Sequence, residues 1–246
     1  MLPVFADPKT DVVFKRIFGD EARKSLLIAL LNDLLELKGT RRIREVEHLS
    51  LEQHVTLPKS KLSIVDVKCT TASGRRFVVE MQVLPVEGFE KRVVYNASKA
   101  YVLQLRDADD YPRLCDVVSV TLCNFKLWPR KLADQDYKVP MLSRWRMQEQ
   151  QSGHKGLRQV QYAFLEVIPP ALSEGPFREA LEIARKATFT NAEWEEYERS
   201  KMAEQDERGA ISLARREGKD EGRAEGKLEG KLEGKRDTLL RLLVRA

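Results

Sequence analysis

The chain opens with two helical patterns of apolar residues. Val12, Val13, Phe14, Ile17 and Phe18 form one apolar face that stops at Gly19-Asp20. Pro8 and Asp11 ahead of it supply the proline and the acid that favour a helix start. Between Ala22 and Leu37, leucines recur at 26, 27, 30, 31, 34 and 35, a spacing that predicts a core helix. From Arg41 to Gln53 the pattern turns extended. Ser63 to Val83, SIVDVKCTTASGRRFVVEMQV, then reads as two apolar strands around a short glycine-containing turn. Helical spacing returns from Gly88 to Arg106, with Ala97, Ala100 and Leu103 inside the pattern and no proline. Cys115 to Pro129 is β-branched and apolar, a buried strand ended by a proline, and Leu157 to Pro170 alternates as a further strand. This order predicts an α/β fold in which a hairpin supplements the βαβ connections.

After Phe177 the pattern becomes helical and polar. REGKDEGRAEGKLEGKLEGK places Glu-Gly at 217, 221, 225, 229 and 233, a period of four. On an α-helix four residues advance about 400°, so acids stack on acids and bases on bases, and each glycine costs about 1 kcal/mol against alanine. Such a segment is a poor isolated helix. It reads first as a charged tail and second as a self-association element, because its acidic and basic stripes, about 200° apart, suit a neighbouring copy. The division is a domain over residues 1–175 and a charged helical extension over 176–246.

Bulk composition narrows the partners. With 42% hydrophobic and 33% charged residues the chain is globular, and a formal net charge of +5 with a pI near 9.0 tilts it towards polyanions such as nucleic acid. Cys69, Cys115 and Cys123 are odd in number, lack CxxC spacing and lie in apolar runs, so buried reduced thiols are expected rather than disulfides or a zinc site. An acid and a lysine within the first nine residues argue against a signal peptide, and no stretch reaches the ~18 apolar residues that span a bilayer. A cytoplasmic protein without membrane contact is expected. His48, His54 and His154 are isolated and read as structural or surface residues, and no P-loop pattern occurs.

The hairpin carries the chemistry. Folded about Ser73-Gly74, it puts Asp66 opposite Glu80 or Met81, according to the number of residues in the loop. In the register that faces the two acids, Asp66, Lys68, Glu80 and Gln82 share one face, and Val65, Val67, Val79, Met81 and Val83 share the core face. A solvated face with Lys68 bridging the acids would produce the same pattern. So would two carboxylates brought together to hold a hard divalent cation such as Mg²⁺.

Asp66, thirteen residues and then Glu80-Met81-Gln82 resembles the PD-(D/E)xK nuclease superfamily, whose site is an Asp and a Glu/Asp-x-Lys on adjacent strands. The likeness is closer to the Rpn family of recombination-promoting nucleases and transposases. It rests on DPKTDVVFKRIFGDE (Asp7–Glu21), the Leu-rich helix, Asp66-Val67 with Glu80-Met81-Gln82, FEKRVVYNASKAYVLQL (Phe89–Leu105) and the Glu-Gly repeats. The resemblance implies a central sheet flanked by helices and Mg²⁺-dependent hydrolysis of DNA phosphodiesters, with Mn²⁺ or Ca²⁺ as substitutes. It implies Asp66, Glu80 and the Met81 carbonyl as metal ligands and Gln82 in the place of the superfamily lysine. Glutamine orients water but carries no charge, which leaves the general base undefined.

Arg92, Tyr95, Lys99 and Arg106 fall on one helical stripe able to grip a phosphate backbone. Lys99 is expected nearest the metal, and Tyr95, Lys99 and Gln104 match the family pattern. Asp11 and Lys68 are accessory candidates, Asp11 fitting a helix cap better than a metal ligand. Two alternatives remain in the sequence: a catalytically idle DNA-binding module, and an interaction protein that assembles into homo-oligomers through the C-terminal repeat.

Overall fold

The computed structural model describes residues 6–53, 63–105, 109–128, 139–166, 183–184 and 189–243. The chain divides into two compact units, Met1–Glu198 and Arg199–Ala246.

In the first unit, helix α1 (Asp11–Phe18) starts after an Asp7-Pro8 turn in which the Asp7 carboxylate accepts from the Lys9 N–H at 3.0 Å. A short 3₁₀ turn leads to α2 (Lys24–Leu34). Among the described residues eight strands follow: β1 (Glu47–His48), β2 (Glu52–Gln53), β3 (Ser63–Ile64), β4 (Val67–Thr70), β5 (Arg76–Gln82), β6 (Val117–Cys123), β7 (Leu142–Arg146) and β8 (Val160–Glu166). Helix α3 (Phe89–Val102) connects β5 to β6. Among the described residues six strands make one mixed sheet in the order β1-β4-β5-β6-β8-β7, in which β5, β6 and β8 run parallel to one another and the outer pairings are antiparallel. The two-stranded ribbon β2-β3 stands apart from it.

The expected α/β architecture is present, a mixed sheet flanked by helices. One face of the sheet, with Val67, Cys69, Phe77, Val79, Val118 and Val120, packs on Phe14, Ile17, Leu27 and Leu31 of α1 and α2. The other, with Val78 and Val117, packs on Ala97 and Ala100 of α3. Every residue of β6 is buried, as expected for a central parallel strand covered on both faces. Asn32, 2% exposed, is the polar exception in α2: its amide accepts from the Ile43 N–H at 2.8 Å and donates to the Ile43 carbonyl at 2.9 Å. Asn32→Ala leaves both backbone groups buried without partners, and about 1–3 kcal/mol is lost for each in a chemical denaturation experiment.

Three expectations need correction. The first hairpin strand is not continuous from Ser63, because the chain bends at Asp66. The bend turns Val65 onto the α3 face with Val78 instead of onto the Val67 face. Second, β7 lies at the sheet edge where no strand was expected, since LSRWR has only one buried position and carries no alternating signal. Third, Cys115 is half-exposed rather than buried, whereas Cys69 and Cys123 are buried free thiols whose pKa burial pushes up to about 12.

The second unit consists, among its described residues, of helix α4 (Asn191–Leu243), which begins in the first unit. There Trp194 and Tyr197 pack with Phe189. No helix among the described residues is long and apolar enough to cross a membrane.

Candidate active site

The hairpin register settles which residues face each other. Val67 pairs with Val79 and Thr70 with Arg76, so Asp66 lies at the bend just beyond the ladder, where its carboxylate meets the Met81 N–H next to Glu80. The loop turns at Gly74, whose φ of 79° favours glycine and whose missing Cβ leaves room for the Cys115 sulfur. Asp66 and Glu80 both line a cleft of about 810 Å³ walled by the β3 segment and by α3.

Each acid is held differently. At the bend, the Asp66 carboxylate accepts from the Met81 N–H at 2.7 Å, and the Lys15 ammonium lies 3.8 Å from it. Burial raises its pKa to about 7. The Met81 N–H and Lys15 pull the other way, and the adjacent Asp11 carboxylate adds to the rise. Glu80, 5% exposed, accepts from the Asn96 amide at 2.6 Å, and burial raises its pKa against the pull of Asn96 and Arg92. The Asn96 Oδ1 atom is buried and has no hydrogen-bond partner among the described residues. Sequence reading did not single out Asn96. Its only signal was its place one residue after Tyr95, on the helix face turned to the sheet.

Several expected site residues are placed differently. Thr10, not Asp11, is the N-terminal flanking residue of α1, and Asp11 is its first helical residue. The Asp11 carboxylate pairs with Lys15 at 2.8 Å and stands beside Asp66, so it belongs to the acidic cluster and caps nothing. Lys68 does not bridge the acids among the described residues. It is 6% exposed, and burial, Arg76 and Lys99 all lower its pKa. Arg92 and Tyr95 line the cleft. Lys99 is 3% exposed, with its ammonium 5.2 Å from the Tyr95 ring centre, and Arg92 rather than Lys99 is the helix cation that acts on Glu80. Gln104 is structural: its amide donates to the Cys115 carbonyl and accepts from the Cys115 N–H, both at 2.9 Å. His48 is likewise structural, its ring held between Glu21 and the Phe18 carbonyl. Arg106 and His54 lie outside the described residues.

Among the described residues no three His, Cys, Asp or Glu side chains form a ready metal cage. Mg²⁺ does not require one, since it keeps several waters and binds through one or two carboxylates. Two carboxylates lining one cleft fit that demand: all their donors are hard oxygens, and burial, which raises the pKa of both, is offset when a cation replaces the lost water. This has a measurable consequence. The folded pKa of Asp66 lies above the ordinary 3.8, so its contribution to stability is full below that value and lost as pH rises through about 7. In metal-free buffer the melting temperature is expected to fall between pH 5 and pH 8, and Asp66→Asn to flatten the fall. A melting temperature that climbs across this range contradicts the assignment.

The mixed sheet flanked by helices is an α/β nuclease-like fold, and Asp66 and Glu80 share one cleft with Lys91 and Arg92 of α3. A family model for PD-(D/E)XK nuclease family transposases matches residues 8–171, and the chain belongs to that family. No curated protein and no solved structure matches it.

Proposed function

We propose that this protein is a metal-dependent endonuclease that hydrolyses DNA phosphodiester bonds in recombination or transposition. The observation that carries this reading is the pair of carboxylates, half-buried Asp66 and buried Glu80, lining one cleft whose α3 wall presents Lys91 and Arg92. Asp66, Glu80 and the Met81 carbonyl would hold Mg²⁺, with Mn²⁺ or Ca²⁺ as substitutes. A bound ion supplies a water of lowered pKa and charge neutralisation at a phosphate. The chain's own residues do the rest: Asn96 fixes the Glu80 carboxylate, Lys15 and the Met81 N–H fix that of Asp66, and Tyr95 borders the entrance. Contacts from lysines and arginines to the phosphate backbone dominate affinity, so binding weakens steeply with salt and reads little sequence.

Covalently closed plasmid tests the proposal. Nicks are expected with Mg²⁺ or Mn²⁺ and none with EDTA. Plasmid that is bound yet stays closed under every condition would make the chain an idle DNA-binding module.

The Glu-Gly repeat supports homo-oligomers as a second property. Relative to each glycine of the stripe at 218, 222, 226, 230 and 234, the acid lies about 100° to one side and Lys219, Arg223, Lys227 or Lys231 about 100° to the other. Two parallel copies meeting through the glycines put acid beside base on both flanks, while antiparallel copies put acid beside acid. Deleting residues 211–236 is expected to lower the sedimenting mass; a monomeric full-length chain contradicts the idea.

A further inference from the structure

Gln82 occupies the position of the superfamily lysine, on the same strand face as Glu80, yet its amide is not free to steer a water. Its Nε2 donates to the Leu84 carbonyl at 2.7 Å, and its Oε1 accepts from the Arg92 guanidinium at 2.5 Å. Arg92 stands in the first turn of α3, with its guanidinium carbon 5.1 Å from the centre of the Phe89 ring, which is 1% exposed. The cation is thus gripped by an amide on one side and rests on an aromatic face on another. It lines the cleft beside Glu80 and Asn96. Of the five N–H groups of a guanidinium, Gln82 takes one.

We infer that Gln82 and Arg92 act as one unit, in which Gln82 positions Arg92 and Arg92 supplies to the scissile phosphate the positive charge that a lysine at position 82 would have carried. This rests on the nuclease reading above. The residue types follow from the task. A lysine at 82 would repel Arg92, and a glutamate would cancel its charge, whereas a neutral amide orients the guanidinium and leaves the charge intact. The remaining N–H groups form the planar fork that matches two phosphate oxygens. Arg92 is therefore a catalytic residue and Gln82 a positioning residue.

The test combines cleavage with a readout that needs no metal. Arg92→Ala is expected to lower the single-turnover cleavage rate at saturating DNA by about 10²–10³, the cost of removing one donor to developing charge. Gln82→Ala should fall towards the same rate, and Gln82→Ala/Arg92→Ala should be no slower than Arg92→Ala alone. Introducing Gln82→Lys into Arg92→Ala should restore at least tenfold of the loss (about 1.4 kcal/mol of barrier). In EDTA, anisotropy titrations of the same DNA against salt should show the slope of log affinity reduced by about one in Arg92→Ala. Arg92 is exposed, so its loss does not threaten folding. The inference is overturned if Arg92→Ala cuts at the wild-type rate, or if Gln82→Lys/Arg92→Ala is no faster than Arg92→Ala. A wild type that cuts nothing while Arg92→Ala still loses one unit of slope overturns the nuclease reading and supports the Arg92 phosphate contact.

Discussion

Glu80→Gln and Asp66→Asn are each expected to lower metal-supported cleavage by about a thousandfold or more, while DNA binding in EDTA should stay the same or tighten. Both replacements are isosteric, so the Met81 N–H can still reach the side chain at 66 and the cleft keeps its shape. What disappears is the negative charge proposed to draw a cation into the cleft, and a metal ion would contribute several kcal/mol to such a reaction at about 1.4 kcal/mol per tenfold in rate. Binding is expected to behave in the opposite sense, because each replacement removes an anion from the surface proposed to face phosphates. The two effects are separated by single-turnover cleavage with Mn²⁺ and by anisotropy without metal. Loss of binding together with cleavage would mean the substitutions disturb the fold, and cleavage that survives both would place the chemistry elsewhere.

The second large effect is on stability. Phe77 lies on the same strand as Glu80, is fully buried, and packs in the cluster formed with α1 and α2. Phe77→Ala is expected to cost about 3–5 kcal/mol in urea denaturation, from the lost burial of the ring and the cavity it leaves. Because Phe77 and Glu80 share β5, the variant should also cut slowly at temperatures where it is still folded. A loss below about 1 kcal/mol would show that the sheet–helix interface is not where this core is held.

These two predictions draw on different degrees of legibility in the sequence. The two-residue period of a strand puts Glu80 and Gln82 on the face opposite Val79 and Met81, and that much is legible in the sequence alone. The same alternation misplaced Val65, because a bend at Asp66 breaks the period and no residue type there announces it. The edge strand β7 was invisible for a related reason: a strand with one buried residue has no periodic signal. At the site, helical spacing puts Arg92, Tyr95 and Lys99 on one stripe, but the expectation of Lys99 nearest the acids could not be drawn from spacing alone. That ranking depends on where α3 crosses the sheet, and it brought Arg92 to Gln82 and Asn96 to Glu80. Asp11 illustrates the limit of local rules. Its Thr-Asp context resembles a cap, and only the packing of α1 against the hairpin brings its carboxylate beside Asp66.

The assignment of a divalent cation to these two acids is tested most directly by replacing Mg²⁺ with Fe²⁺ and adding ascorbate and peroxide, so that radicals formed at the bound iron cut the nearby polypeptide. Fragments mapped by mass spectrometry should end near residues 66 and 80–82, should disappear with excess Mg²⁺, and should be missing from Asp66→Asn and Glu80→Gln. Uncut protein, or fragments that end elsewhere and persist in both variants, would show that the cleft floor does not hold the metal.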